Sequence, residues 1–81
     1  MKVRVQFFAQ LRDLAGVAEL DVDLHTGSTM AQLLEDIYEQ KPALRPHDKS
    51  ILVGAGVEFV ERDYVVKDRD AISIMPPVQG G

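Results

Sequence analysis

The chain has 81 residues, enough for one small domain with a single hydrophobic core. Apolar residues make up 46% and charged residues 27%, a balance that is typical of a folded domain and excludes a disordered chain. The formal net charge of -4 argues against nucleic-acid or anionic-membrane binding, because both require a basic surface. With no long apolar run and no targeting pattern, we expect a cytoplasmic protein that meets a basic protein surface.

The chain begins with a half-buried strand. Apolar and polar side chains alternate over residues 2–8, which places Phe8 and Arg4 on the outward face. Residues 9–16 then predict one short helical turn that a glycine closes. Residues 19–24 predict a second strand whose acidic side chains point to water.

One amphipathic helix is predicted in the middle of the chain. Thr29 and Gln32 form a capping-box pattern at its start. Apolar residues recur at i, i+3, i+4 and i+7 from Met30 to Ile37, and Pro42 ends the run. This single apolar stripe predicts a helix that packs on one face of a sheet.

The second half of the chain predicts a loop followed by two or three further strands. Residues 43–50 are polar and contain a proline, which favours a connecting loop. A strand resumes at 51–53, and two glycines then leave residues 57–60 either as a continuation past a bulge or as a short separate strand. A charged turn at 68–70 precedes the last strand, 71–75.

Together these elements predict an α+β fold with a mixed sheet of four to five strands, covered on one face by one main helix. The first and last strands carry the most apolar inward positions, so we expect them at the centre of the sheet. We assign residues 1–75 to this domain and residues 76–81 to an extended, flexible tail. No internal repeat or second domain is indicated.

The predicted domain carries no pattern that is typical of catalysis or metal binding. The sequence has no cysteine, and its two histidines, His25 and His47, lack a second ligand at helical spacing. Gly54-Ala55-Gly56 lacks the lysine and the following helix of a phosphate-binding loop, so a bulge is the better interpretation. We therefore expect no metal site and no active site within the domain.

The C-terminal segment from Pro76 to Gly81 suggests a different role. The two prolines favour an extended segment, which could reach about 20 Å from the domain. Gly80 and Gly81 have no side chains, so a narrow channel could close around the backbone. The terminal carboxylate is ionised at neutral pH and needs activation, which ATP and a magnesium ion could supply through an acyl-adenylate. Attack by a sulfur nucleophile would then convert the terminal carboxylate to a thiocarboxylate. The alternative is that the segment is an inert, disordered tail.

Several segments of the chain resemble the small, sulfur-carrier subunits of molybdopterin synthase, a family of ubiquitin-like β-grasp proteins. The segments that match span nearly the full length: Phe7 to Arg12, Gly27 to Thr29 with Leu33 and Leu34, Asp68 to Asp70, and Pro76 to Gly81. Relatives tend to have glycine where this chain has Arg69, which bears on the turn because glycine adopts positive φ freely. We expect the fold to survive this difference.

The resemblance implies a β-grasp carrier without an active site of its own. It implies that a ubiquitin-activating-like adenylyltransferase, using ATP and magnesium, adenylates Gly81, which becomes a thiocarboxylate. The large synthase subunit would use this sulfur to build the molybdopterin dithiolene, in an assembly of two small and two large subunits. In that role the residues that position Gly81 are Pro76, Pro77, Val78, Gln79 and Gly80.

The outward face of the sheet suggests a surface for these partners. Phe8 and Arg4 share that face, and Met75 falls opposite the inward Ile74, so we predict that Phe8, Met75 and Arg4 bind a partner. Two alternatives remain open for the whole chain. One is a sulfur carrier for another product, such as thiamine thiazole or cysteine, and the other is a ubiquitin-like binding module with an inert tail.

Overall fold

The structure is a computed structural model that describes residues 1–77, and its elements follow the predicted order. The strands and helices are β1 (Lys2–Phe7), α1 (Gln10–Ala15), β2 (Glu19–Asp23), α2 (Met30–Gln40), a 3-10 helix (Pro42–Ser50), β3 (Leu52–Ala55), β4 (Glu58–Phe59) and β5 (Ala71–Met75). The five strands form one sheet in the order β2-β1-β5-β3-β4. β1 and β5 pair in parallel, and the other neighbours pair antiparallel, so the sheet is mixed. The predicted interior position of the first and last strands is confirmed.

The hydrophobic core lies between α2 and the inward face of the sheet. The alternation in β1 buries every second residue, and α2 buries the stripe predicted from its spacing, so that Ile37 and Ile72 are both fully buried. The capping box is present, because the Thr29 N–H donates to Gln32 Oε1 (2.8 Å) and the Gln32 N–H donates to Thr29 Oγ1 (3.4 Å). The opposite face of the sheet carries no helix within residues 1–77.

The turn before β5 forms although Arg69 occupies the position where the family resemblance predicts glycine. Arg69 adopts a φ of 67°, in the left-handed region where a non-glycine residue is strained by about 1–2 kcal/mol. Neighbouring contacts hold the turn: the Arg69 N–H donates to the Lys2 carbonyl (3.1 Å), and Asp70 Oδ2 accepts from the Lys67 N–H and the Tyr64 hydroxyl, each at 2.8 Å. The expectation that the fold survives this substitution is confirmed.

Residues 43–50 do not form the predicted loop, because the segment Pro42–Ser50 is a 3-10 helix. Pro42 stands at the first helical position, where its missing N–H leaves no bond unmade. Leu44 is fully buried, and its N–H donates to the Lys41 carbonyl (3.0 Å). One buried leucine among polar residues gave no periodic signal, whereas its packing against the core orders the segment.

Gly54 lies within a strand, and Gly56 lies in the turn that follows it. The bulge interpretation of Gly54-Ala55-Gly56 is wrong, because Gly54 lies within β3 and pairs with Phe59 of β4. Gly56, with a φ of 62°, and Val57 form a two-residue turn between these strands. The alternative of a short separate strand after the glycines is therefore confirmed.

A polar cluster, here named the Asp48 clip, ties the 3-10 helix to α2 and to the segment after β4. The Tyr38 hydroxyl donates to Asp48 Oδ1 at 2.5 Å, and Arg62 donates to the same oxygen at 2.9 Å and to the Asp48 carbonyl at 2.7 Å. Burial and the hydrogen bond to Asp48 raise the pKa of Tyr38. The hydrogen bond from Tyr38, together with Arg62, lowers the pKa of Asp48.

Replacing Asp48 with asparagine is expected to destabilise the domain at neutral pH by about 1–2 kcal/mol, since charge-assisted hydrogen bonds are lost from a partly exposed site. The folded-state pKa of Asp48 is depressed, so its stabilising effect is present above the unfolded pKa and is lost as pH falls through the folded value. Urea unfolding should therefore show a gap between Asp48→Asn and the parent at pH 7 that closes as the pH falls below the ordinary titration range of a carboxylate. Asp63→Asn, which changes an exposed acid, should show neither effect. A gap for Asp48→Asn that does not change with pH would contradict the assignment.

Candidate functional site

The predicted reactive segment leaves the sheet from a central strand. β5 ends at Met75, which pairs with Leu52 of β3, and Pro76 and Pro77 follow it directly. Neither proline has an N–H to donate, so the ladder cannot continue through them. Pro76 is half-buried and Pro77 is exposed. The predicted residues Val78, Gln79, Gly80 and Gly81 lie outside the described residues.

An apolar patch, defined here as Phe8, Leu52, Phe59 and Met75, lies on the open face of the sheet where β5 ends. Phe8 is 43% exposed and Phe59 is 69% exposed, whereas Leu52 and Met75 are half-buried. The Phe8 N–H donates to the Ile74 carbonyl (3.1 Å), which places Phe8 beside the end of β5. Exposed aromatic and methionine side chains grouped in this way are typical of a protein-binding surface.

Gly54 shapes the centre of the apolar patch. A Cβ atom at this position would lie 3.2 Å from the Glu58 carbonyl oxygen and 3.4 Å from Met75 Cε. The missing side chain therefore allows Met75 to lie over the backbone of β3. Beside it is a shallow groove of about 120 Å³, which also borders Phe59 and Ser73. The patch thus combines projecting side chains with a hollow that a partner's apolar side chain could enter.

Arg4 belongs to a different part of the open face. Its Nε lies 3.3 Å from Asp21 Oδ1, and its Nη1 lies 3.9 Å from Glu19 Oε2, so Arg4 is held by the acids of β2. It is four positions before Phe8 along β1, a distance of about 13 Å at the rise of a strand. The structure therefore brings Phe8 and Met75 together but places Arg4 in a charged strip beside them.

Two members of the patch were not predicted from the sequence. Leu52 and Phe59 join Met75 only through the register in which Leu52 pairs with Met75 and Gly54 pairs with Phe59. Val57 and Phe59 alternate with Glu58, which indicates that the two apolar side chains share one face of a strand. The sequence alone does not reveal which strand this segment pairs with, so the alternation could not place Phe59 in the patch. Val57, at the hairpin turn, is fully exposed next to the patch.

Within residues 1–77 no group of three or more His, Cys, Asp or Glu side chains is placed to hold a metal ion. Over the same residues, no helix has the length and apolar character needed to cross a membrane.

This arrangement defines a class of protein. A five-stranded mixed sheet, crossed by one helix and followed by a segment that leaves a central strand, is the ubiquitin-like β-grasp fold. Comparison with known families is more specific: the ThiS family model matches residues 5–81, and the chain belongs to that family. The match includes the C-terminal residues that lie outside the described part of the structure.

Individual proteins that are similar to this chain support the same family. A protein of Chlamydomonas reinhardtii named molybdopterin synthase sulfur carrier subunit is 34% identical, and the match covers 100% of both chains. Among solved structures, the putative molybdopterin converting factor, subunit 1, from Pyrococcus furiosus is 29% identical with a TM-score of 0.88, covering 96% of this chain and 99% of that one. The small archaeal modifier protein 1 from Methanosarcina acetivorans is 28% identical with a TM-score of 0.81, covering 99% and 96%.

Proposed function

We propose that this chain is the sulfur carrier subunit of a molybdopterin synthase. The observation that carries the proposal is the full-length match to relatives with that name, which includes the terminal Gly80 and Gly81. A similarity over the whole chain supports both parts of the proposed carrier: a domain that partners recognise, and a tail that carries the reacting group.

The proposed chemistry takes place at the carboxylate of Gly81. A carboxylate oxygen attacks the α-phosphorus of ATP and releases pyrophosphate, which leaves an acyl-adenylate. Hydrosulfide, or a sulfur donor equivalent to it, attacks the acyl carbon and expels AMP. The product is a thiocarboxylate, and no change of oxidation state is required at carbon. Magnesium and the cationic groups that stabilise the phosphates belong to the activating adenylyltransferase, whereas this chain contributes the carboxylate.

The position of the apolar patch suggests how the tail is delivered. Met75 belongs to the patch and is the last residue before Pro76. A partner that holds the patch therefore fixes the origin of the tail, and the two prolines limit the directions in which it extends. About 20 Å of extended backbone could then reach a buried active site. Pro76, Pro77, Val78, Gln79 and Gly80 are proposed to position Gly81 in this way.

The second partner in the proposal is the large subunit of the synthase. It would receive the thiocarboxylate and transfer the sulfur to cyclic pyranopterin monophosphate, forming the dithiolene of molybdopterin in an assembly of two small and two large subunits. The carrier itself has no active site in this scheme, and both steps take place in the cytoplasm. The activating enzyme and the synthase act on the same tail at different steps. Each can therefore bind the apolar patch when it acts.

The test is the intact mass of the chain after incubation with a candidate activating enzyme, ATP, magnesium and sulfide. Exchange of one oxygen for sulfur adds about 16 Da, and fragmentation should place the change at Gly81. The thiolated chain should then support dithiolene formation when the large subunit and pyranopterin are added. A chain that gains the mass but supports only another sulfur product would be a carrier for a different pathway.

A second candidate is protein modification, which the similarity to small archaeal modifier protein 1 favours. The same acyl-adenylate would be attacked by an amine instead of sulfide, giving an amide bond to another protein. The two functions are separated by the product: covalent conjugates that resist reducing agents indicate modification, and the free thiocarboxylate indicates sulfur transfer.

A further inference from the structure

β2 is an edge strand with unpaired backbone groups. Among residues 1–77 its only partner in the sheet is β1. Met1 and Leu24 exchange two backbone hydrogen bonds, each of 2.7 Å, at one end of this pairing. Since bonded and non-bonded pairs alternate along an antiparallel ladder, the N–H and C=O groups of Glu19, Asp21 and Asp23 face away from β1. These groups are named here the outer edge.

A groove runs beside the outer edge. It has a volume of about 660 Å³ and lies between the end of β2 and the first half of α2. Leu24 and Ala31 contribute its apolar surface, and Asp23, Glu35 and Asp36 are among the residues around it. A strand that paired with the outer edge would direct alternate side chains toward this groove and the others over the open face of the sheet.

The charges around the outer edge are acidic and only partly compensated. Arg4 lies between the carboxylates of Glu19 and Asp21, and Arg45 pairs with Glu35 at 2.9 Å. Asp23 and Asp36 form no ion pair within residues 1–77. Within residues 1–77, negative charge on both sides of the groove is therefore only partly neutralised by ion pairs. Cationic side chains of another protein would neutralise the rest.

We propose that the outer edge of β2 binds an extended basic segment of another protein by strand addition. The segment's backbone pairs with Glu19, Asp21 and Asp23, its cationic side chains lie over the open face beside Asp23, and small apolar side chains enter the groove. A second copy of this chain is a poor occupant, because two paired β2 strands would bring their acids together. The site is on β2, whereas Leu52, Phe59 and Met75 of the apolar patch are on β3, β4 and β5, so binding at the outer edge does not require these residues or sulfur transfer.

The test uses the full chain and a capped eight-residue peptide of alternating lysine and valine. In the free protein, amide exchange should be fast at Glu19, Asp21 and Asp23 and slow at Leu20 and Val22. Saturating peptide should slow exchange at the three outer-edge amides by about tenfold. A peptide of alternating glutamate and valine, and a lysine-valine peptide with alternate amides N-methylated, should both fail to protect these amides.

A pair of protein variants tests the charge requirement. Asp23→Lys should weaken binding of the lysine-valine peptide about fivefold, whereas Glu58→Lys, with the same charge change on β4, should alter it by less than about twofold. Absence of binding, binding without protection of the outer edge, or equal loss in both variants would overturn the proposal. Protection that appears in the free chain as its concentration rises would assign the edge to a second copy, which would also overturn it.

Discussion

Removal of Gly81 is expected to lower the rate of thiocarboxylate formation at least a hundredfold. The shortened chain still ends in glycine, but its carboxylate stops about 3.5 Å short of the activating enzyme's reacting phosphate. Displacements of about 1 Å can cost a hundredfold in rate when reacting atoms are held in place. Gly81→Ala should give a smaller loss, because one methyl group narrows the passage without shortening the tail. Intact mass over time, with activating enzyme, ATP and sulfide, measures both rates.

The control for these rates is the affinity of each Gly81 variant for the activating enzyme and for the large subunit. If the apolar patch supplies the docking surface, this affinity should change far less than the rate. Thermal unfolding should be unchanged, because Gly81 follows the folded domain. A shortened chain that acquires sulfur as fast as the parent would remove Gly81 from the proposed chemistry. A parent chain that binds partners tightly but never gains mass would favour a binding module with an inert tail.

The double substitution of Phe8 and Phe59 with alanine is expected to weaken binding to the large subunit by about 3 kcal/mol, roughly a hundredfold. Phe59 is 69% exposed and Phe8 is 43% exposed in the isolated domain, so most of the loss should come from the complex and not from the fold. Isothermal titration of each variant measures the affinity, and urea unfolding verifies that stability changes by less than about 1 kcal/mol.

Val65→Ala is the control for the patch prediction. Val65 is 52% exposed and lies in the segment that bridges to Thr29, at the start of α2. It therefore tests whether loss of any exposed apolar side chain is sufficient to weaken the complex. Equal affinity of the Phe8 and Phe59 variant and the parent for both partners would exclude the patch as their docking surface. Arg4→Ala should have the smaller effect, since Arg4 is already paired with the acids of β2.

The two proposed interaction surfaces lie on different parts of one small domain. The apolar patch surrounds the end of β5, where the tail leaves the sheet, and extends to β3 and β4, whereas the outer edge belongs to β2 at the other end of the strand order. Each surface relies on a different force: burial of aromatic side chains at the patch, and backbone pairing with charge complementarity at the outer edge. A partner could therefore hold the tail while a second protein segment occupies β2.

Local patterns in the chain were sufficient to predict most of the elements. The alternation in β1 and β2, the stripe on α2 and the Thr29–Gln32 capping box each involve residues only a few positions apart, and each is present in the structure. Their geometry follows from the periods of strands and helices, which the order of apolar and polar residues reveals directly. The chemistry proposed for Gly81 likewise depends on a bare backbone and a terminal carboxylate, which are properties of the residues themselves.

Contacts between distant segments could not be predicted in this way. The Asp48 clip joins side chains 10 and 14 residues apart, and the burial of Leu44 depends on the same packing. The apolar patch exists because the β3–β4 hairpin places Phe59 beside Gly54, and β5 places Met75 beside Leu52. A local pattern states which face a side chain occupies, but not which strand lies next to it. Strand order and register are decided by the packing of the whole core, so the proposed partner surfaces form only in the folded domain.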